Sequence, residues 1–494
     1  MSWTERATAT QFKIEPLIAG RYRPSDSTDF ISCINPAFET PLCEFLVGSS
    51  SDVDEAVRVA RKAFENGCWS QMSPAKRADI LYRLADLIIE HKAEIALLDT
   101  LEMGKPICAS LQDAESFAPS RIRGYARLAE SLLGVSAPIG VATLALNTYE
   151  PRGVVGAITP WNFPIVNAVI KVAPALIAGN SVVLKPSELT PSSALKLAEL
   201  ALEAGVPEGV FNVVPGLGST VGAALALHSQ VDLLSFTGST ATGRKLLELS
   251  GQSNGKPLLL ECGGKSSQLV FDDVRDLDRV ADATVESVLW NQGQVCSART
   301  RLLVHEAIEE DLLERIVRRL KTCKPGNPLD ESTTFGPLAS AAQRDRVKAY
   351  VASGIRAGAD PILQGAIRES GGCYVSPTIF ARVKSGMAIA REEIFGPVLC
   401  VQSFSTESEA IALANDTPYG LAATVWTQHM GRARRLARAI KAGDVQVRTA
   451  GEEWPEVVTA LGHEPQKASG FGVEIGVKGL HSYSTLKSIT FKGA

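Results

Sequence analysis

The chain has 494 residues, 45% hydrophobic and 21% charged, with a formal net charge of −4. This is ordinary globular composition, long enough for two or three domains with sizeable cores. The faintly acidic balance argues against a nucleic-acid surface, and the densest basic run, 431–441, spaces its charges like the solvated face of a helix. The N-terminal stretch 1–16 has no apolar signal core, and the nearest approach to a membrane span, 132–146, is interrupted by Gly, Pro, Ser and Thr. A soluble cytoplasmic protein is expected, with no membrane and no nucleic-acid partner. The nine cysteines include no CxxC pair, so neither a disulfide framework nor a metal site is expected.

Residues 50–133 read as mainly helical: 51–65, then 73–105, then a further helix after 112. From 150 to 262 strand-like and helix-like segments alternate. The strands are 153–160, 181–187, 210–216, 231–239 and 256–264; the helices between them are 162–179, 190–205, 219–228 and 241–250. Short, nearly all-apolar strands between helices predict βαβ units and a parallel sheet buried on both faces. A second α/β set follows, with strands near 266–271, 299–305, 374–383, 397–404 and 422–427 and helices at 276–292, 306–321 and 340–357. The fold class is therefore α/β, with two doubly wound domains and helical additions. There is no internal repeat and no low-complexity tract.

One cysteine stands in a distinctive setting. Cys296 ends Asn291-Gln292-Gly293-Gln294-Val295, a small polar run after an apolar segment. A thiol needs activation to become a nucleophile. The six histidines, at 91, 228, 305, 429, 463 and 481, lie in no motif that announces a Cys–His pair. A carboxylate is the stronger candidate base: Glu261 sits at a predicted strand end followed by Cys262 and two glycines, where α/β sheets build sites. On residues alone, a surface or salt-bridged glutamate is an equal alternative. The glycine signals are weak singly. The run 216–222, with Gly218, lacks GxGxxG spacing. Phe236 to Gly243 places Gly, Ser and Thr at a helix start, where free N–H groups meet phosphate. Lys185 and Glu188 end a strand with groups suited to ribose hydroxyls.

Together and in this order the motifs say more. TPWNFP (159–164), KPSE (185–188), FTGS (236–239), ECGGKS (261–266), NQGQVC (291–296) and EEIFGPV (392–398) resemble the motif set of the aldehyde dehydrogenase superfamily, over nearly the whole chain. The segments 73–88, 100–107 and 324–330 are most similar to the aminoaldehyde branch, which includes γ-glutamyl-γ-aminobutyraldehyde dehydrogenases.

The resemblance implies the following expectations. A modified Rossmann NAD-binding domain comprises 1–128 and 152–262, and a catalytic domain 263–475. A small bridging β element comprises 129–151 and 476–494, through which a homodimer or homotetramer forms. Cys296 attacks the aldehyde, and the Asn162 amide with the Cys296 N–H holds the oxyanion. Glu261 activates the water that hydrolyses the thioester intermediate, and Lys171 lies near the site. NAD is bound by Thr159, Pro160, Trp161, Lys185, Glu188, Gly218, Phe236, Ser239, Glu393 and Phe395, with Glu188 disfavouring the 2′-phosphate of NADP.

The chain also departs from the family pattern. Cys262 replaces a usual leucine or alanine, and 445–448 reads VQVR where relatives carry VWVN. In the loop 459–470 the usual double glycine is Glu464-Pro465, which removes backbone freedom and an N–H. Thr485 stands where relatives carry a glutamate, implying loss of a proton relay and slower thioester hydrolysis. Glu452, Glu453 and Trp454, in the same altered region, are candidates to meet an amine. Three rival functions remain at this stage. Acyl transfer to coenzyme A is disfavoured by Glu261. A cysteine hydrolase is disfavoured by the cofactor motifs. A non-catalytic member of the fold is disfavoured by the joint presence of Cys296, Asn162 and Glu261.

Overall fold

The computed structural model describes residues 1–140, 143–323, 325–364, 371–448 and 461–492. One large sheet runs in the order Arg21–Tyr22, Leu17–Ile18, Phe211–Val213, Ser181–Lys185, Val154–Ile158, Leu233–Thr237, Leu258–Glu261, Gly470–Phe471. The five strands from Phe211–Val213 to Leu258–Glu261 are parallel. Val154–Ile158 and Ser181–Lys185 are buried at every position, which is why their sequences are apolar without alternation. On one face pack Pro74–Glu90, Ala118–Arg127, Pro164–Ile177 and Ser192–Ala204; on the other pack Ser50–Glu65, Ala223–Leu227 and Thr240–Gln252.

Strand order reverses around Val154–Ile158, whose chain neighbour Ser181–Lys185 lies to one side and Leu233–Thr237 to the other. Such a switch point opens a crevice at the strands' carboxyl ends. Here it is lined by the segments 160–163 and 237–239.

The second sheet has the order Asp360–Gln364, Thr378–Ala381, Val398–Phe404, Arg301–His305, Ser267–Val270, Ala422–Trp426, Asp444–Arg448. It is parallel apart from its antiparallel edge Asp360–Gln364. A third, antiparallel sheet joins Val135–Gly140 and Thr143–Pro151 to Ser484–Lys492.

Three local features differ from the sequence expectation. The long helix after 73 breaks at His91 into Pro74–Glu90 and Lys92–Met103. The helix after Gly218 opens with a wide π turn, Gly218–Gly222, before Ala223–Leu227. Residues before 50 contribute two two-residue strands and a hairpin, Phe30–Asn35 with Thr40–Leu46. Two residues carry no period, and the hairpin's burial alternation is interrupted by a bulge after Cys33.

Candidate active site

The polar run before Cys296 is a strained turn. The helix Leu277–Leu289 ends, and Asn291, Gln292 and Gly293 follow with φ of 48°, 56° and 72°. Left-handed backbone at a non-glycine residue costs about 1–3 kcal/mol, so the surroundings must hold it. Asn291 Nδ2 donates to the carbonyl oxygen of Asn162 at 2.7 Å, and Gln294 Nε2 donates to that of Asn291 at 3.1 Å. Gln294 Oε1 accepts from the Ala339 N–H at 2.9 Å. Position 293 admits only glycine, since a Cβ there would lie 2.3 Å from the Gly396 carbonyl oxygen. The Asn162 side chain is oriented in turn by donating Nδ2 to the backbone carbonyl oxygen of Gln294 at 2.8 Å. Behind it, Lys105, ion-paired to Asp113, sets its ammonium 3.7 Å from the Phe163 ring centroid.

The turn delivers Cys296 to a cavity of about 240 Å³ whose wall also includes Trp161, Asn162, Ser239, Glu393 and Phe395. Burial pushes the Cys296 thiol up to about 12, with the charges of Glu261 and Glu393 adding to the rise and the N–H groups of Ser297 and Cys296 opposing it. Cys296 therefore rests as a thiol. In cofactor-free protein, iodoacetamide labelling of Cys296, followed by peptide mass, is expected to quicken about tenfold per pH unit from pH 7 to 9. A plateau near pH 7 would contradict this.

Glu261 ends the strand Leu258–Glu261, and its carboxyl is held well above the usual carboxylate range by burial and then by the charge of Glu474, with Lys171 opposing. Lys171 projects from the helix Pro164–Ile177 and is fully buried. Its Nζ donates to Glu474 Oε1 at 2.6 Å and to Ser235 Oγ at 3.1 Å. Ser235 Oγ also donates to Glu474 Oε1 at 2.6 Å, Tyr483 OH donates to Ser235 Oγ, and Tyr125 OH donates to the Glu474 carbonyl. Glu474 went unnoticed in the sequence, where it lies in none of the six motifs. The expected loss of a relay glutamate at Thr485 is corrected here. Thr485 is exposed on the strand Ser484–Lys492 opposite Glu150, while Glu474 supplies the second carboxylate beside Lys171.

The surviving part of the altered loop clamps Glu261. Gly470 pairs with Glu261 across the sheet edge, and a Cβ at Gly470 would lie 1.9 Å from the Leu260 oxygen. Ser469 Oγ donates to the Gly263 carbonyl at 2.8 Å, and the Ser469 carbonyl accepts from Cys262 N–H at 2.8 Å. Glu464 stays exposed and accepts from Gly472 N–H at 3.0 Å. Glu452, Glu453 and Trp454 lie outside the described residues.

The crevice suits a dinucleotide. Lys185 is buried and meets Glu188 Oε2 at 3.1 Å, a cation–carboxylate pair of the kind that binds a ribose diol. Ser239 lines the cavity and caps the 13-residue helix Thr240–Gln252, so a helix N-terminus, where free N–H groups can meet a phosphate, borders it. Gly218 is open: a Cβ there would meet nothing within 4 Å. Glu393 accepts from Gly264 N–H at 2.9 Å, and burial raises its carboxyl to about 7. Phe395 packs edge-on to Trp161 with ring centroids 5.3 Å apart. Pro160 lines the cavity, whereas Thr159 and Phe236 are buried and off its wall. Phe236 instead lies under Gly238, where a Cβ would sit 2.5 Å from its ring. Gln343 and Arg346, on the helix Ala341–Arg356, also line the cavity, and no sequence motif marked them.

A model of the aldehyde dehydrogenase family matches residues 22–489. The chain is 42% identical to the NADP/NAD-dependent aldehyde dehydrogenase PuuC of Escherichia coli K12, over 99% of this chain and 97% of that protein. It is 44% identical to the aminoacetaldehyde dehydrogenase of Pseudomonas aeruginosa, over 92% and 90%. The fold superposes on an indole-3-acetaldehyde dehydrogenase in complex with NAD+ with a TM-score of 0.95, 43% identity and 99% coverage of both chains. The chain belongs to the aldehyde dehydrogenase family. Among the described residues no helix is long and apolar enough to cross a membrane.

Proposed function

We propose that this enzyme oxidises an amine-bearing or related small aldehyde to its carboxylate through a thioester on Cys296, with NAD as cofactor. The observation that carries the reading is the convergence of Cys296 and the fixed Asn162 amide on one cavity, with the shielded carboxyl of Glu261 close enough to raise the thiol. Cys296 gives up its thiol proton to solvent as Sγ bonds to the aldehyde carbon and the C=O π bond opens onto oxygen, and the developing oxyanion takes donors from Asn162 Nδ2 and the Cys296 N–H. NAD, when bound, supplies the acceptor for the hydride that leaves that carbon. Glu261, as carboxylate, then takes a proton from the water that attacks the thioester, and Cys296 leaves as thiolate.

Lys185 and Glu188 would hold the adenosine ribose, and Ser239 with its helix start the pyrophosphate. Glu393, Phe395 and Trp161 would hold the nicotinamide end, with Thr159, Pro160, Gly218 and Phe236 shaping the walls. The Glu188 carboxylate repels a 2′-phosphate, so NADP is expected to serve less well than NAD. Asn162→Ala should lower kcat by about 10²–10³-fold with NAD affinity unchanged in calorimetry; an unaltered kcat would remove Asn162 from the role.

The names of two relatives, for aminoacetaldehyde and indole-3-acetaldehyde, support a nitrogen-bearing aldehyde. The test is NADH formation on γ-aminobutyraldehyde, its γ-glutamyl form, guanidinobutyraldehyde, succinic semialdehyde, and aliphatic and aromatic aldehydes. A kcat/KM ranking led by the amine-bearing compounds supports the substrate reading, and one led by succinic semialdehyde or an alkanal overturns it. NAD binding with no turnover on any aldehyde would favour a non-catalytic role.

We further propose that the domains 1–128 with 152–262, 263–475, and the bridging element 129–151 with 476–494 form a cytoplasmic homodimer or homotetramer. Support comes from the strand Ser484–Lys492, an edge of the third sheet with Leu486 and Phe491 each 54% exposed. Unpaired apolar edges are liabilities that pairing removes. The double substitution Leu486→Lys/Phe491→Glu is expected to yield monomers in light scattering; an unchanged oligomer would move the interface elsewhere.

A further inference from the structure

The hairpin of Phe30–Asn35 and Thr40–Leu46 places Cys33 directly opposite Cys43, immediately before its bulge. Opposed residues of an antiparallel pair hold their Cα atoms about 4.5–5.5 Å apart, inside the range of about 4.4–6.8 Å that a disulfide spans. Of the nine free cysteines these two alone share a register position across paired strands. Their exposures differ usefully: Cys43 is partly exposed, and Cys33 is buried. The neighbouring Cys33 holds the Cys43 thiol below its ordinary range.

The buried partner touches the backbone of a residue assigned above to the cofactor. Cys33 Sγ donates to the carbonyl oxygen of Glu188 at 3.8 Å, and Glu188 is the residue whose carboxylate pairs with Lys185. A disulfide sulfur has no proton to donate, so oxidation removes this tie from the backbone of the corner assigned to the adenosine ribose.

We propose that Cys33 and Cys43 are a reversible disulfide site through which a hydroperoxide lowers the affinity of the enzyme for NAD. The Cys43 thiolate attacks the peroxide O–O bond; an S–O bond forms, and the leaving hydroxide takes a proton to become water. Cys33 then attacks the Cys43 sulfenic sulfur; the S–S bond forms, the S–O bond breaks, and the Cys33 proton leaves with the departing hydroxide as a second water. Two thiols are oxidised by two electrons, one hydrogen peroxide is reduced to two waters, and a small dithiol reverses the change. The effect on affinity rests on the cofactor placement proposed above, whereas the disulfide itself does not.

The test uses full-length Cys296→Ala protein, so that the nucleophile does not consume the oxidant. It is treated with hydrogen peroxide, mapped by non-reducing peptide mass spectrometry and titrated with NAD by calorimetry. Expected are a peptide pair joined through Cys33 and Cys43 and a Kd for NAD raised about threefold to tenfold, the worth of one orienting hydrogen bond. Dithiothreitol should restore both, and Cys43→Ser on the same background should show neither. A pair that stays reduced, or a Cys43 that passes on to sulfinic acid, overturns the disulfide site. A mapped disulfide with unchanged Kd overturns the switch. Absence of NAD binding before oxidation overturns the cofactor placement, while the peptide map still reads the disulfide.

Discussion

Cys296→Ala protein is expected to bind NAD like the natural chain and to form NADH from any aldehyde at least about 10⁴-fold more slowly, since removing a covalent nucleophile removes the whole pathway and leaves only what binding and oxyanion donors supply. Among the described cysteines Cys296 alone lines the cavity with Asn162, apart from Cys262, whose thiol is pushed up to about 12 by burial and then by Glu261. Cys262 also serves the structure, because its N–H is committed to Ser469 and its sulfur packs within 2.9 Å of where a Cβ on Gly243 would be. It is therefore a poor substitute nucleophile. Spectrophotometry at 340 nm beside calorimetry separates lost chemistry from lost folding. Residual turnover within tenfold of the natural chain would move the nucleophile to another residue.

The second large effect concerns the buried pair of Lys171 and Glu474. Removing one partner of such a pair strands the other charge in the core, at a cost of about 3–5 kcal/mol. Lys171→Met and Glu474→Gln should each lower the melting temperature sharply. The double change Lys171→Met/Glu474→Leu should recover much of the loss, because an apolar replacement of both charges is often neutral. Two destabilised singles whose losses simply add would show that the pair is not coupled. The same variants report on Glu261. Glu474 raises the Glu261 carboxyl and Lys171 lowers it. Glu474→Gln should thus move the acid limb of thioester hydrolysis to lower pH, and Lys171→Met to higher pH. Equal limbs in both would detach the cluster from the water-activating step.

The alternation of apolar strands and capped helices made both large sheets readable, because parallel strands buried on two faces leave an unbroken apolar signal. The meeting of Cys296 and Asn162 on one cavity, with Glu261 near, was readable because each sits in a motif of particular residues, Gly293 of the thiol turn above all. Glu474 was not. It lies 213 positions beyond Glu261 in the chain, and what brings it to the site is an edge strand of only two residues, Gly470–Phe471. Arg346 and Gln343 were missed for a related reason: they are ordinary polar residues of a helix, one exposed and one half-buried against the Phe395 carbonyl, whose register against the crevice is set by tertiary packing. The hairpin around Cys33 was also missed, since its bulge interrupts the period on which strand reading depends. Phe236 shows the converse, a motif residue that shapes the backbone of Gly238 from below.

The antiparallel strand Gly470–Phe471, which closes the edge beside Glu261, bears on the order in which a growing polypeptide becomes an enzyme. The thiol turn, the oxyanion amide and the crevice are all encoded before residue 400. The segment that seals the carboxylate and supplies its buried partner follows only after residue 469. A nascent chain that has not reached it holds Cys296 and Glu261 with the sheet edge beside Glu261 still open and Lys171 without Glu474. The thiol and the environment of the carboxylate are thus laid down at different times in synthesis.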